Sequence, residues 1–163
     1  MHFQKLLILG ALLLLPLVSI FSQAQLKVVI PDQYYNRFME YCYTYDVPVY
    51  YMSRLIQFES GWDSKATHKN PNGTIDRGIG MLNSAGMADL ARWHNNGVPF
   101  DPFDWEINLK VSVKHLRFLY NETGSWWSAV AAYNCGLGRY RLFEAGKKPL
   151  PKATIRELKF IFS

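Results

Sequence analysis

The stretch LIQFESGWDSKA, residues 55–66, ends an oily run on a carboxylate. Read as a helix over 52–59, it places Met52, Leu55, Ile56 and Glu59 at three- and four-residue spacing, so the acid shares the stripe that should face the core. Burial disfavours the charged form of a carboxyl group, and the negative end of a helix pushes the same way. A glutamate so placed holds its proton near neutral pH and can act as a general acid. Two plainer readings stay open at this point: helix-end glutamates are ordinarily solvated, and a slight rotation would bring Glu59 to the rim.

The other groups capable of chemistry are dispersed. Asp63 and Asp76 are the nearest carboxylates, but both fall in a polar stretch where aspartate commonly forms turns. His68, His94 and His115 lack ligand spacing, and neither Cys42 nor Cys135 belongs to a CxxC cluster, so no metal site and no cofactor are expected. The segment NPNGTID, residues 70–76, has part of a calcium-loop pattern, but His68 and Ile79 stand where acids should be, and a plain turn is the reading. The two cysteines are read as small buried hydrophobes, with pairing neither required nor forbidden.

These residues need a scaffold, and the pattern supplies a helical one. Pro31 and Asp32 open a helix over 31–47, and Pro48 opens the one ending at Glu59, with Gly61 as its stop. DSKATHKNPNGTIDRG, residues 63–78, reads as a long surface loop. Further helices are expected over 84–97 and 106–122, the second with Leu109, Val113, Leu116 and Leu119/Tyr120 on one side. A fifth runs over 125–136 between a Ser cap and Gly136, and a short last helix lies in 150–162. No strand pair, repeat or linker stands out, so the expectation is a single mainly α domain.

Residues 1–24 stand apart. Lys5, the apolar run 6–20 and the small residues Ser22 and Ala24 read as a secretory signal peptide, leaving 25–163 as the folded domain and 25–30 as a short extended arm. An uncleaved membrane anchor is the alternative, made less fitting by Pro16 and the small-residue exit. Without residues 1–24, which hold one lysine and no acid, 17 basic against 13 acidic side chains leave a charge of +4. That balance suits an anionic polymer, yet no dense basic block appears and export argues against nucleic acid as the partner.

Three segments taken in order resemble a known family. VYYMSRLIQFESGWDSKA (49–66), NGTIDRGIGMLNS (72–84) and SAVAAYNCG (128–136) look like the three motifs of the lysozyme-like soluble lytic transglycosylases: an E-S at a helix end, a G-L-M-Q-I-N type segment, and A-Y-N-x-G. The likeness extends weakly to 108–116 and 150–154. It implies a lysozyme-like helical fold with a substrate cleft, acting on peptidoglycan strands between N-acetylmuramic acid and N-acetylglucosamine. It further implies Glu59 as the catalytic acid, Ser60 as its positioning neighbour, Met81 and Asn83 in the cleft lining, and Tyr133 and Asn134 ordering substrate and acid.

With no second acid of clear claim, the resemblance implies that Glu59 alone serves as acid and then base, closing a 1,6-anhydro ring. The chain departs from the family at Met81, where glutamine is usual, and at His115, where a helix tyrosine is common. A hydrolase using Asp76 or Asp63 to position water, and an inactive wall-binding or scaffold module, are the competing expectations. Of the tryptophans, adjacent Trp126 and Trp127 cannot both point inward, so one of them is expected at the cleft edge. By the same resemblance the chain is expected in the periplasm or cell envelope, as a monomer that helps an envelope-spanning machine to assemble.

Overall fold

Proline punctuation and two carboxylate or serine caps set most of the helix boundaries. The structure, a computed structural model, describes residues 29–163. The proposed signal segment 1–24, and all of the expected arm except Val29 and Ile30, lie outside the described residues. Pro31 precedes α1 (Asp32–Thr44), which buries Tyr34, Phe38, Tyr41 and Cys42, and Pro48 precedes α2 (Val49–Glu59), which buries Met52, Leu55 and Ile56 completely. Pro is favoured just where a helix begins, because its fixed φ fits and the N–H it lacks is not needed there.

The segment read as a loop is instead a small sheet. Strands β1 (Thr67–Lys69), β2 (Ile75–Arg77) and β3 (Leu82–Asn83) pair antiparallel in that order, with His68 opposite Asp76 and Asp76 opposite Asn83. The first hairpin closes over Asn70–Thr74, where Gly73 takes φ 86° and donates its N–H to the Asn70 carbonyl at 2.9 Å. Strands this short carry too few residues for an alternating pattern, which is why the polar composition suggested a loop.

A single 3-10 turn (Ser84–Gly86) leads into α3 (Met87–His94). The longest helix, α4 (Trp105–Thr123), starts where the Asp104 side chain accepts the N–H groups of Glu106 and Ile107, and ends at Gly124 in the left-handed conformation. Its Leu109, Val113, Leu116 and Leu119 form the core stripe read from the sequence. Helix α5 (Trp126–Cys135) is capped by Ser125 and buries Ala129, Val130, Ala131 and Ala132 against α4, against the unforeseen α6 (Leu137–Glu144) and against α7 (Lys152–Phe162). Helix α7 returns across α2 and α5. Among the described residues no helix is long and apolar enough to cross a membrane.

Two glycines join sheet to helices. A Cβ on Gly78 would strike the Pro102 carbonyl, and one on Gly80 would land inside the Ser112 hydroxyl. Both approaches are possible only without a side chain. Asn108, fully buried on α4, ties this segment down: its amide donates to the Arg77 and Pro102 carbonyls at 3.1 and 2.8 Å, and its oxygen accepts from the Gly80 N–H at 2.9 Å.

Candidate active site

Glu59 is the last residue of α2, and the chain reverses directly behind it. Ser60 and Gly61 return N–H bonds to the Ile56 and Gln57 carbonyls, and Gly61 and Trp62 both take positive φ, 61° and 71°. The Ser60 hydroxyl donates to the Ile79 carbonyl at 2.7 Å and accepts from the Trp62 N–H at 3.2 Å. Ser60 therefore staples the end of the acid's helix to the segment that follows β2.

That segment shapes the wall beside Glu59. Met81 sits at φ 48°, a left-handed conformation costly for a side chain with a Cβ, with its N–H bonded to the Gly78 carbonyl at 3.0 Å. Gly80 presents its carbonyl to the Tyr133 hydroxyl at 2.8 Å. Asn83 donates to Asp76 at 2.6 Å and to Thr74 at 2.9 Å, while Asn134 accepts from the Thr154 hydroxyl at 2.6 Å. The site residues expected from sequence thus converge on one cleft, with Ser60, Asn83, Tyr133 and Asn134 each held by a side-chain hydrogen bond.

The cleft has two arms that meet at Glu59. One, with a cavity volume of about 860 Å³, runs between the β-hairpin and the aromatic face of α3 and α4; the other runs past Phe58, Asp63, Lys65 and His68. Glu59, Asp76, Met81, Asn134 and Cys135 line both. A channel open on either side of one acid accommodates a chain threaded through it rather than a small molecule end-on.

Electrostatics favour a protonated Glu59. Burial raises its pKa most, the Asp76 carboxylate raises it further, and together they push it up to about 8 even though the Glu157 carboxyl, as a hydrogen-bond partner, works the other way. Glu157 is fully buried on α7, and its oxygens lack a well-aligned hydrogen-bond donor among the described residues. Burial and the charge of Glu59 hold it well above the carboxylate range. The two carboxyls thus behave as a pair in which the deeper one keeps its proton.

Several residues were not foreseen in these roles. Glu157 lies on an apolar stripe with Thr154, Leu158 and Ile161, the same signal that exposes Glu59. Asp76 is not a turn former; it sits in β2, held by the Asn70 and Asn83 amides at 2.8 and 2.6 Å and within electrostatic reach of the acid. Asp63 does form a turn, accepting from the Lys65 N–H at 2.8 Å. His94 and His115 are not scattered: Nε2 of one lies 3.1 Å from Nδ1 of the other, and burial lowers both pKa values, to about 4 and about 3.

The tryptophan expectation also changes. Trp126 stacks inward on Tyr120 at 4.2 Å and Trp127 rests on Phe143 outside the cleft, whereas Trp93 lines the first arm. Both cysteines are free, with Cys42 buried. Among the described residues no three His, Cys, Asp or Glu side chains come together as metal ligands.

The family model of the transglycosylase SLT domain matches residues 37–155. No curated protein matches the chain. Among solved structures, the 70 kDa soluble lytic transglycosylase Slt70 from Escherichia coli superposes with a TM-score of 0.60 at 22% identity, over 78% of this chain and 21% of that one. A complex of the 70-kDa soluble lytic transglycosylase with bulgecin A gives 0.59 at 26% identity, over 80% and 21%. The chain spans about a fifth of the length of these proteins. The mainly α, single-domain lysozyme-like fold expected from the sequence is the fold found.

Proposed function

The chain belongs to the transglycosylase SLT domain family, and on that premise we propose that residues 25–163 form a peptidoglycan lytic transglycosylase with Glu59 as its single acid and base. The observation that carries this reading is Glu59 itself: a carboxyl at the junction of two cleft arms, with its pKa raised to about 8. Such a group is protonated at neutral pH and still acidic enough to transfer the proton.

Glu59 gives its proton to the glycosidic oxygen between N-acetylmuramic acid and N-acetylglucosamine. The C1–O bond breaks and the oxygen leaves as a hydroxyl. The Glu59 carboxylate then takes the proton of the muramoyl 6-hydroxyl, whose oxygen closes on C1 to form the 1,6-anhydro ring. Glu59 regains its proton, and no water is consumed.

The surroundings fit these roles. Ser60 fixes the end of the acid's helix, Tyr133 and Met81 form the wall beside it, and Asn134 and Asn83 order the cleft from opposite sides. Glu157 acts as a positioning residue, holding a proton toward the Glu59 carboxylate after the first transfer. We infer further an exported protein of the periplasm or envelope, working as a monomer and opening the wall locally where a larger assembly must pass.

A hydrolytic reading has one observation in its favour, the Asp76 carboxylate within electrostatic reach of Glu59. Both Asp76 oxygens already accept from asparagine amides, which suits a fixed charge better than a group that activates water. The third reading, a wall-binding module without turnover, draws on Met81 in place of glutamine. Release of soluble fragments from purified peptidoglycan by the wild type, and none by Glu59→Gln with an unchanged melting curve, tests the assignment; a fully active Glu59→Gln removes it.

A further inference from the structure

The chemistry at Glu59 uses only the joint between the two cleft arms, and the first arm has one aromatic wall. Trp93 of α3 stacks on Phe118 of α4 with centroids 5.5 Å apart and planes 27° apart, Phe118 stacks on His115 at 6.0 Å and 16°, and His115 meets Tyr133 at 5.6 Å. Tyr133, fixed by Gly80, is the rung beside the acid. Trp93 is the outermost rung and is 48% exposed.

Isolated exposed aromatics are common on protein surfaces and carry no meaning alone. Trp93 differs in two respects. It lines the same cavity as Glu59, and its ring is held: Phe118 backs it, while the Arg92 guanidinium lies 5.5 Å from its centroid and is anchored to Asp89 at 2.6 Å. Across the arm the wall is polar, built of Asn70, Asn72 and Thr74 in the hairpin. A pyranose matches that contrast, with an apolar C–H face for an aromatic ring and hydroxyl or acetamido edges for amides and charged groups.

We propose that Trp93 is the stacking platform of an outer subsite that holds an N-acetylhexosamine ring of a β-1,4-linked glycan, several rungs from the bond to be cut. This rests on the lytic reading above and names the part of the substrate that reading leaves unassigned. Contacts with a remote ring provide binding energy that can be spent at the reacting centre, so the arm selects long strands over short ones.

Isothermal titration of the protein with the β-1,4-linked tetramer of N-acetylglucosamine tests it. Trp93→Ala is expected to weaken binding about tenfold or more, while Trp93→Tyr, which keeps a stacking face, stays within about threefold of wild type. Trp127→Ala, exposed but outside the cleft, serves as the control and leaves affinity unchanged. Equal affinities for Trp93→Ala and wild type overturn the platform, as does a wild type that binds no tetramer. Fragment release from peptidoglycan by the same wild-type sample then locates the failure in the subsite; absence of release locates it in the lytic reading.

Discussion

Glu157, buried on α7, stands behind Glu59 at the end of α2, and the two carboxyl groups are close enough that each changes the other's affinity for a proton. The effects run in opposite directions. Glu59 raises the pKa of Glu157, whereas Glu157 lowers that of Glu59. The proposed acid is thereby kept from becoming too weak, despite burial and despite Asp76.

The pH dependence of activity follows. In the proposed mechanism Glu59 must be protonated to begin the reaction, so kcat/KM is expected to fall as pH rises through about 8. Replacing Glu157 by Gln retains an N–H donor and should leave that limb close to its wild-type position. Replacing it by Leu removes the donor and should move the limb to higher pH. A pH–rate profile of the three proteins checks this, and an alkaline limb that ignores Glu157→Leu contradicts the pairing.

Asp76 acts with the other sign. Its carboxylate raises the pKa of Glu59, so Asp76→Asn should shift the alkaline limb to lower pH. If Asp76 were instead needed to position water, the same variant would lose turnover across the whole profile without displacing it.

Stability should also fall with pH above neutrality. Glu157 and Glu59 have folded pKa values above the unfolded carboxylate value, so the folded protein binds more protons and its stability declines as pH rises toward those values. His94 and His115 have depressed values, and their contribution is instead lost on acidification below about 6.5. Between pH 7 and 8 the carboxyl pair therefore dominates. Each retained proton is worth a slope of about 1.4 kcal/mol per pH unit. Denaturant titrations should show that slope reduced in Glu157→Gln.

Gly80→Ala probes the wall beside the acid. The added methyl meets the Ser112 hydroxyl and the Asn108 carbonyl oxygen, both on buried side chains of α4. Overpacking of that kind costs about 1–3 kcal/mol. A melting temperature lowered by several degrees, with a larger loss of activity because Tyr133 is displaced with the Gly80 carbonyl, is the expected result. Wild-type stability in Gly80→Ala would mean that the close approach is not needed.

Helix positions were legible because their signals are local. Pro31, Pro48, Ser125 and Gly136 mark ends, and the α4 stripe repeats often enough to be unmistakable. The sheet was not, since its strands of two or three residues are set by cross-strand partners such as Asp76 and Asn83, distant from any periodic pattern. Helix α6 buries only Tyr140, so it leaves no stripe to read. Glu59 was legible because its helix contradicts itself by placing an acid on an apolar face. Glu157 obeys the same rule, but its meaning depends on α7 packing against α2, a tertiary contact that spacing does not encode. The same holds for His94 with His115, and for Trp93, whose proposed role depends on Phe118 behind it.

The most direct measurement is mass spectrometry of the soluble products formed when residues 25–163 are incubated with purified peptidoglycan. Glycan fragments ending in 1,6-anhydro-muramoyl groups, absent from a Glu59→Gln control, are the predicted result. Fragments with free reducing ends would contradict the single-acid mechanism and return Asp76 as the residue that positions water.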